Sequence, residues 1–184
     1  MYEKILVVLA DGFEEIEALG AVDVLRRLQF AVTTAALGKK IQIVGCHGIP
    51  VITDTLLENC GAADFNAVVL PGGMPGAENL RKSEKVRFLL QCMAAEGKIV
   101  AAICAAPMVL AEVGLLQGRR FTMYPGFEKF LGGLVPSGNA VETDGNIITG
   151  RGPGALFDFC ASIAQAFGAK DRVAALYRGM FVQK

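Results

Sequence analysis

The sequence has no excess charge of either sign, a single histidine and no paired cysteine motif. Lys+Arg number 18 and Asp+Glu number 18, so no net field draws the chain to nucleic acid or to an anionic membrane surface. No apolar run reaches the roughly 18 residues that a bilayer span requires. Met-Tyr-Glu-Lys leads straight into a strand pattern, which leaves no room for a signal peptide. Neither nucleic acid nor a membrane is therefore expected as a partner. The five cysteines stand at 46, 60, 92, 104 and 160 and make no CxxC. Their spacing is not that of metal ligands, and no metal or organic cofactor is expected. Free thiols fit a reducing cytoplasm. His47, alone in a loop, is read as a solvated residue.

What is present is apolar surface in quantity. Hydrophobic residues make up 53% of 184 and charged residues 20%, enough for a sizeable core, and one domain over residues 1–184 is expected. Apolar runs at 4–10 (KILVVLA), 30–37 (FAVTTAAL), 64–70 (DFNAVVL) and 99–103 (IVAAI) alternate with helical patterns at 14–29, 83–96, 105–116, 155–167 and 170–180. Buried strands alternating with helices predict an α/β fold: a three-layer α/β/α sandwich around a doubly wound, mostly parallel sheet of flavodoxin-like type. Residues 41–54 read as a hairpin or pair of short strands, 120–124 as a short strand, 126–133 as a loop or short helix, and 140–150 as a hairpin turning at Asp144-Gly145.

Lys98–Pro107, KIVAAICAAP, is the stretch around which the rest is arranged. A continuous apolar run meets Cys104, and a helix pattern follows with Pro107 in its first turn, where a missing N–H costs nothing. A cysteine between a buried parallel strand and a helix sits in a tight turn at the carboxyl end of the sheet, the ligand-binding edge of open α/β sheets. The pattern is that of a nucleophile elbow with cysteine for serine. The unpaired N–H groups of the helix start are expected to ease ionisation of the thiol. The same pattern also accommodates an inert, small buried cysteine.

Residues placed 100° apart put Glu17 on the apolar face of the first helix, with Gly20, Ala21 and Val24 as neighbours one and two turns on. A carboxyl there is desolvated and easier to protonate; a frayed first turn would leave it in water. Glu14 lies one turn earlier, placed to serve the helix N-terminus. Ile16 and Leu19 lie towards the charged side, which points to a covered surface such as a dimer contact. Past the third apolar run, Gly72-Gly73 lets the backbone approach a ligand closely and offers N–H groups to an oxyanion. It matches neither a Walker sequence nor GxGxxG.

VVLPGG, AAICAAP, GRGPG and GFEEIE, in order across nearly the whole chain, resemble the DJ-1/ThiJ/PfpI superfamily. The resemblance implies Cys104 as nucleophile, Glu17 as the buried acid that bonds its sulfur, and the N–H groups of Gly73 and Ala105 as oxyanion site. It places Glu14 at the pocket's flank, and Arg151, Gly152 and Pro153 beside it. It also implies a homodimer through the first helix. Two positions depart from the family pattern. Tyr124-Pro125 stands where many members carry His-Pro, so Tyr124 borders the site without a histidine's basicity. This argues against protease or glutamine amidotransferase chemistry. Gly48 stands where DJ-1-like members have an arginine.

The resemblance implies an enzyme acting on small reactive aldehydes or glycated adducts, of glyoxalase or deglycase type, with thiolate attack and a glutamate proton shuttle. It equally accommodates a non-enzymatic redox sensor or stress chaperone working through oxidation of Cys104. Nothing in the chain supports thiazole monophosphate biosynthesis. The other four cysteines read as structural or incidental, with Cys46 the most open to secondary oxidation.

Overall fold

The computed structural model describes residues 3–183. Its sheet is built from the apolar runs. β1 (Lys4–Leu9), β6 (Ala67–Leu70) and β7 (Ile99–Ile103) lie at its centre and are buried on both faces, which is why each reads as a continuous apolar run rather than an alternating one. β2 (Ala31–Ala36) and the two-residue β5 (Thr55–Leu56) extend the sheet on one side; β9 (Ile147–Gly150) and β8 (Val141–Asp144) extend it on the other. The order is β5-β2-β1-β6-β7-β9-β8. All pairings are parallel except the β8–β9 hairpin, whose turn falls at Gly145-Asn146, one residue beyond the expected Asp144-Gly145, because Asp144 still pairs with Ile147. β3 (Gln42–Val44) and β4 (Pro50–Ile52) form a separate antiparallel ribbon.

Alternate strand residues feed two helical layers. Ile5, Val7 and Leu9 face α1 (Glu15–Arg27), α5 (Leu156–Ala166) and α6 (Lys170–Gly179). Leu6 and Val8 face α2 (Gly76–Lys82), α3 (Glu84–Ala95) and α4 (Pro107–Glu112). Full burial of side chains such as Leu25, Leu90 and Phe159 stabilises the fold by about 1.5–3 kcal/mol each. This is the expected doubly wound three-layer sandwich. Among the described residues no helix is long and apolar enough to cross a membrane.

Three local expectations are corrected. The helix after Cys104 is only six residues long. Gly114 takes φ +77°, and Leu115 N–H turns back to the Leu110 carbonyl, so the helix closes at Glu112, about one turn early. Residues 120–124 do not form a strand. Both neighbours of β7 are already β6 and β9, so Thr122 N–H donates to Thr149 Oγ1 and its hydroxyl to the Asn139 carbonyl instead of to a ladder. The loop after β6 contains α2, which glycines and prolines had concealed in the sequence.

Candidate active site

The strand order reverses between β1 and β6, and the loops leaving their carboxyl ends meet there. β1 delivers Gly12 to Glu17, β6 delivers Gly72 and Gly73, and β7 delivers Cys104. Cys104 has φ +63°, a left-handed backbone that costs a non-glycine residue on the order of 1–3 kcal/mol. Two bonds impose it: Cys104 N–H donates to the Gly150 carbonyl at 2.9 Å, and its carbonyl accepts from Tyr124 N–H at 2.9 Å. The elbow expected from the sequence is formed. Cys104 is half-buried, so its sulfur is neither sunk among aliphatic side chains nor fully in water.

Glu17 is completely buried on the apolar face of α1. Its Oε2 accepts from Gly72 N–H at 2.8 Å, and among the described residues no donor is aligned on Oε1. The helix that carries it is capped by Glu14, whose Oε2 accepts from Glu17 N–H at 2.7 Å. Burial raises the Glu17 carboxyl to about pKa 7; interaction with the Cys104 thiol and the Gly72 N–H oppose this, and the charge of Glu14 adds to it. A frayed, solvated Glu17 is excluded.

The thiol itself differs from expectation. Burial, then the Glu17 carboxylate, push Cys104 up, against the N–H groups of Ala105 and Gly73, which pull it down. The Ala105 and Gly73 N–H groups act in the direction expected of the helix N-terminus, but they do not prevail. The pair therefore resists carrying two negative charges in one small volume. A carboxylate poised near neutrality beside a protonated thiol is suited to take its proton during attack.

Gly72, read with Gly73 as a donor to an oxyanion, instead gives its N–H to Glu17 Oε2. A Cβ at this position would lie 2.7 Å from Cys104 Cβ and 2.8 Å from Glu17 Oε2. The glycine thus lets acid and thiol press on the same backbone unit. Gly73 has φ +87° and lies against Glu14 N.

Tyr124, Arg151 and Pro153 come together in a neighbouring cavity of about 540 Å³, with Pro125, Ala140 and Gly152. Its lining begins at residues bonded to the elbow and does not include the sulfur. Tyr124 is half-exposed, its ring set edge-on to Phe127. Arg151 is tied by Nη1 to the Gly138 carbonyl at 2.8 Å. Gly48 turns the β3–β4 ribbon at φ +84° and brings no cation to the site.

The DJ-1/PfpI family pattern matches residues 3–166. The chain belongs to the DJ-1/PfpI family. It is 37% identical over 184 residues to protein dj-1beta of Drosophila melanogaster, covering 99% of this chain and 98% of that one. It is 35% identical over 156 residues to a protein named deglycase from Pyrococcus abyssi, covering 84% and 93%. A DJ-1 superfamily protein of Salmonella typhimurium superposes with a TM-score of 0.93 at 36% identity, covering 99% of this chain and 100% of that one. The chain spans only 39% and 44% of the two Arabidopsis thaliana DJ-1 homologs it matches.

Other cysteines of this DJ-1/PfpI chain fall as expected. Cys60 and Cys160 are buried, and burial pushes both thiols up. Cys46 is exposed, but it is not isolated. His47, read as solvated, is exposed yet bonded through Nδ1 to Glu15 Oε2 at 2.7 Å. Burial would raise the Glu15 carboxyl, but the His47 side chain and the backbone N–H of His47 outweigh it and hold the group at about 2.

Proposed function

We propose that this protein catalyses cofactor-independent conversion of small 2-oxoaldehydes, free or carried on an amine or thiol, to 2-hydroxy acids. The observation that carries the reading is a fully buried carboxyl with a pKa near neutrality, set against a thiol on a strained elbow. The name deglycase carried by the Pyrococcus abyssi relative lends further support.

In this reading the Glu17 carboxylate takes the Cys104 proton as the sulfur adds to the aldehyde carbon. The carbonyl oxygen gains the negative charge and receives hydrogen bonds from the Gly73 and Ala105 N–H groups, which face the sulfur in the resting site. Glu17 returns its proton to that oxygen, giving a hemithioacetal. It then removes the C1 hydrogen as a proton while the C1 hydroxyl proton passes to the C2 oxygen; Glu17 returns its proton to the C2 carbon, leaving a thioester of the 2-hydroxy acid. Water cleaves the thioester, its hydroxyl going to C1 and its proton to sulfur. The sum is aldehyde plus water to acid, with the protein regenerated. The cavity lined by Tyr124, Arg151 and Pro153 leaves room for the amine or thiol carrying an adduct.

Turnover of methylglyoxal, followed by its disappearance and the appearance of lactate, tests this. Glu17→Gln is expected to lower the rate by about 10²–10⁴, the usual worth of a positioned acid–base group, and Cys104→Ser by at least as much. Consumption by Cys104→Ser at the wild-type rate overturns the reading.

We further propose a homodimer through α1. Ile16 and Leu19 on α1 are exposed, as are Val44, Ile49 and Ile52 of the β3–β4 ribbon. The ribbon is tied to α1 through Glu15, so these side chains belong to adjoining elements. All five cysteines are free, which supports a reducing compartment.

A further inference from the structure

The three side chains that meet on the far side of α1 from the thiol are Glu15, Cys46 and His47. The proposed aldehyde chemistry uses none of them. One donor atom from each lies within 4.8 Å of the others. Cys46 Sγ is 3.5 Å from Glu15 Oε2 and 3.3 Å from His47 Nδ1, and the imidazole nitrogen is 2.7 Å from the same carboxylate oxygen. We infer that Glu15, Cys46 and His47 form a three-ligand site for a borderline-soft divalent cation, zinc in the first instance, with water completing the tetrahedron.

The geometry matches the ion. Zinc bonds of about 2.3 Å to sulfur and about 2.0–2.1 Å to nitrogen and oxygen, at tetrahedral angles, place pairs of ligand atoms about 3.3–3.6 Å apart. The two edges involving sulfur already have these lengths. The nitrogen–oxygen edge is shorter because a hydrogen lies in it; replacing that hydrogen with a metal opens the edge by about 0.6 Å. One thiolate, one imidazole and one carboxylate is a donor set that favours zinc over magnesium or calcium.

The site is held from outside as well. Glu15 is buried, and its other oxygen, Oε1, accepts from His47 N–H at 2.8 Å, which aims Oε2 at the thiol and the imidazole. Cys46 N–H is fixed to the Phe13 carbonyl at 2.8 Å. Gly45 permits the approach: a Cβ there would lie 2.3 Å from Glu15 Oε1. Cys46 and His47 are exposed, so an ion can enter from solvent. The spacing of the cysteines gave no hint, because Glu15 lies 31 residues before Cys46 and only the fold brings it there.

Titration of the metal-free, reduced full chain with Co(II), followed by displacement with Zn(II), reads the site directly. Wild type and Cys104→Ser should each bind one cobalt per chain with a thiolate-to-cobalt charge-transfer band. Cys46→Ser should lose the band. His47→Ala and Glu15→Gln should each weaken binding by more than about tenfold, since even outer-shell changes commonly cost that much. Circular dichroism of the three variants should match wild type. Absence of a thiolate band in wild type overturns the inference. So does a band that disappears in Cys104→Ser and survives in Cys46→Ser, which places the metal at the other thiol. Because the readout is binding and not turnover, failure here leaves the aldehyde chemistry standing, and the reverse.

Discussion

Glu17 puts a conflict into a single residue. Its position on an apolar helical face serves packing, while its ionised form opposes it. The folded carboxyl is raised from 4.5 to about 7, so the neutral form is favoured on folding. The sign follows from that. The contribution of this group to stability is fully present below the unfolded value, declines as pH rises from about 4.5 to about 7, and is level above that. Glu17→Gln is neutral at every pH and keeps an oxygen for the Gly72 N–H. Its stability relative to wild type should therefore increase by about 3 kcal/mol between about pH 4 and about pH 8, at roughly 1.4 kcal/mol per pKa unit. Urea denaturation at the two pH values measures it. The same variant should lose turnover, so that stability and activity move in opposite directions at one side chain. An unchanged difference across this range would mean that the carboxyl is not desolvated.

At the scale of the element, the site depends on how closely three loops approach one another. Gly72→Ala tests this without replacing a reacting group. The added methyl meets Cys104 Cβ at 2.7 Å, Glu17 Oε2 at 2.8 Å and Ala105 N at 3.0 Å; Glu17 is fixed in α1, and Cys104 and Ala105 lie in the tight turn between β7 and α4. Whether the turn or the helix yields, something must move by a good fraction of an ångström. Misplacement of that size is expected to cost about 10²-fold in turnover, with far-ultraviolet circular dichroism unchanged. The same scale explains what could be read from the chain. Cys104 was legible because a buried strand and a helix start bracket it, and Glu17 because helical periodicity assigns it a face. The β3–β4 and β8–β9 turns were legible from glycine. The length of α4 was not: AAPMVLAEVGLL is apolar but for Glu112, and the left-handed Gly114 decides where it stops. The strand at 120–124 failed for a non-local reason, since β9 had already taken the edge of β7. The direction of the Cys104 shift also escaped the sequence. It depends first on burial of the thiol and then on a carboxylate brought in from 87 residues away, which together outweigh the local N–H groups.

For the whole molecule, the proposed dimer makes α1 serve two surfaces at once. Its inner face holds Glu17 against the thiol, and its outer face presents Ile16 and Leu19, with the β3–β4 ribbon alongside. A two-fold interface is self-complementary, so a single substitution acts twice. Ile16→Asp would place two carboxylates in one apolar contact, each without a partner, at a cost of at least about 2 kcal/mol in all. By the usual relation of about 1.4 kcal/mol per tenfold, that weakens association by about 30-fold or more. Sedimentation equilibrium near the wild-type dissociation constant should show the variant shifting to the mass of one chain. Ile16 is largely exposed in the single chain, so the thermal midpoint measured well below that concentration should be the same for both proteins. A wild-type chain that sediments as a monomer at every concentration removes the dimer. The thiol site would remain, since every group placed in it comes from one chain.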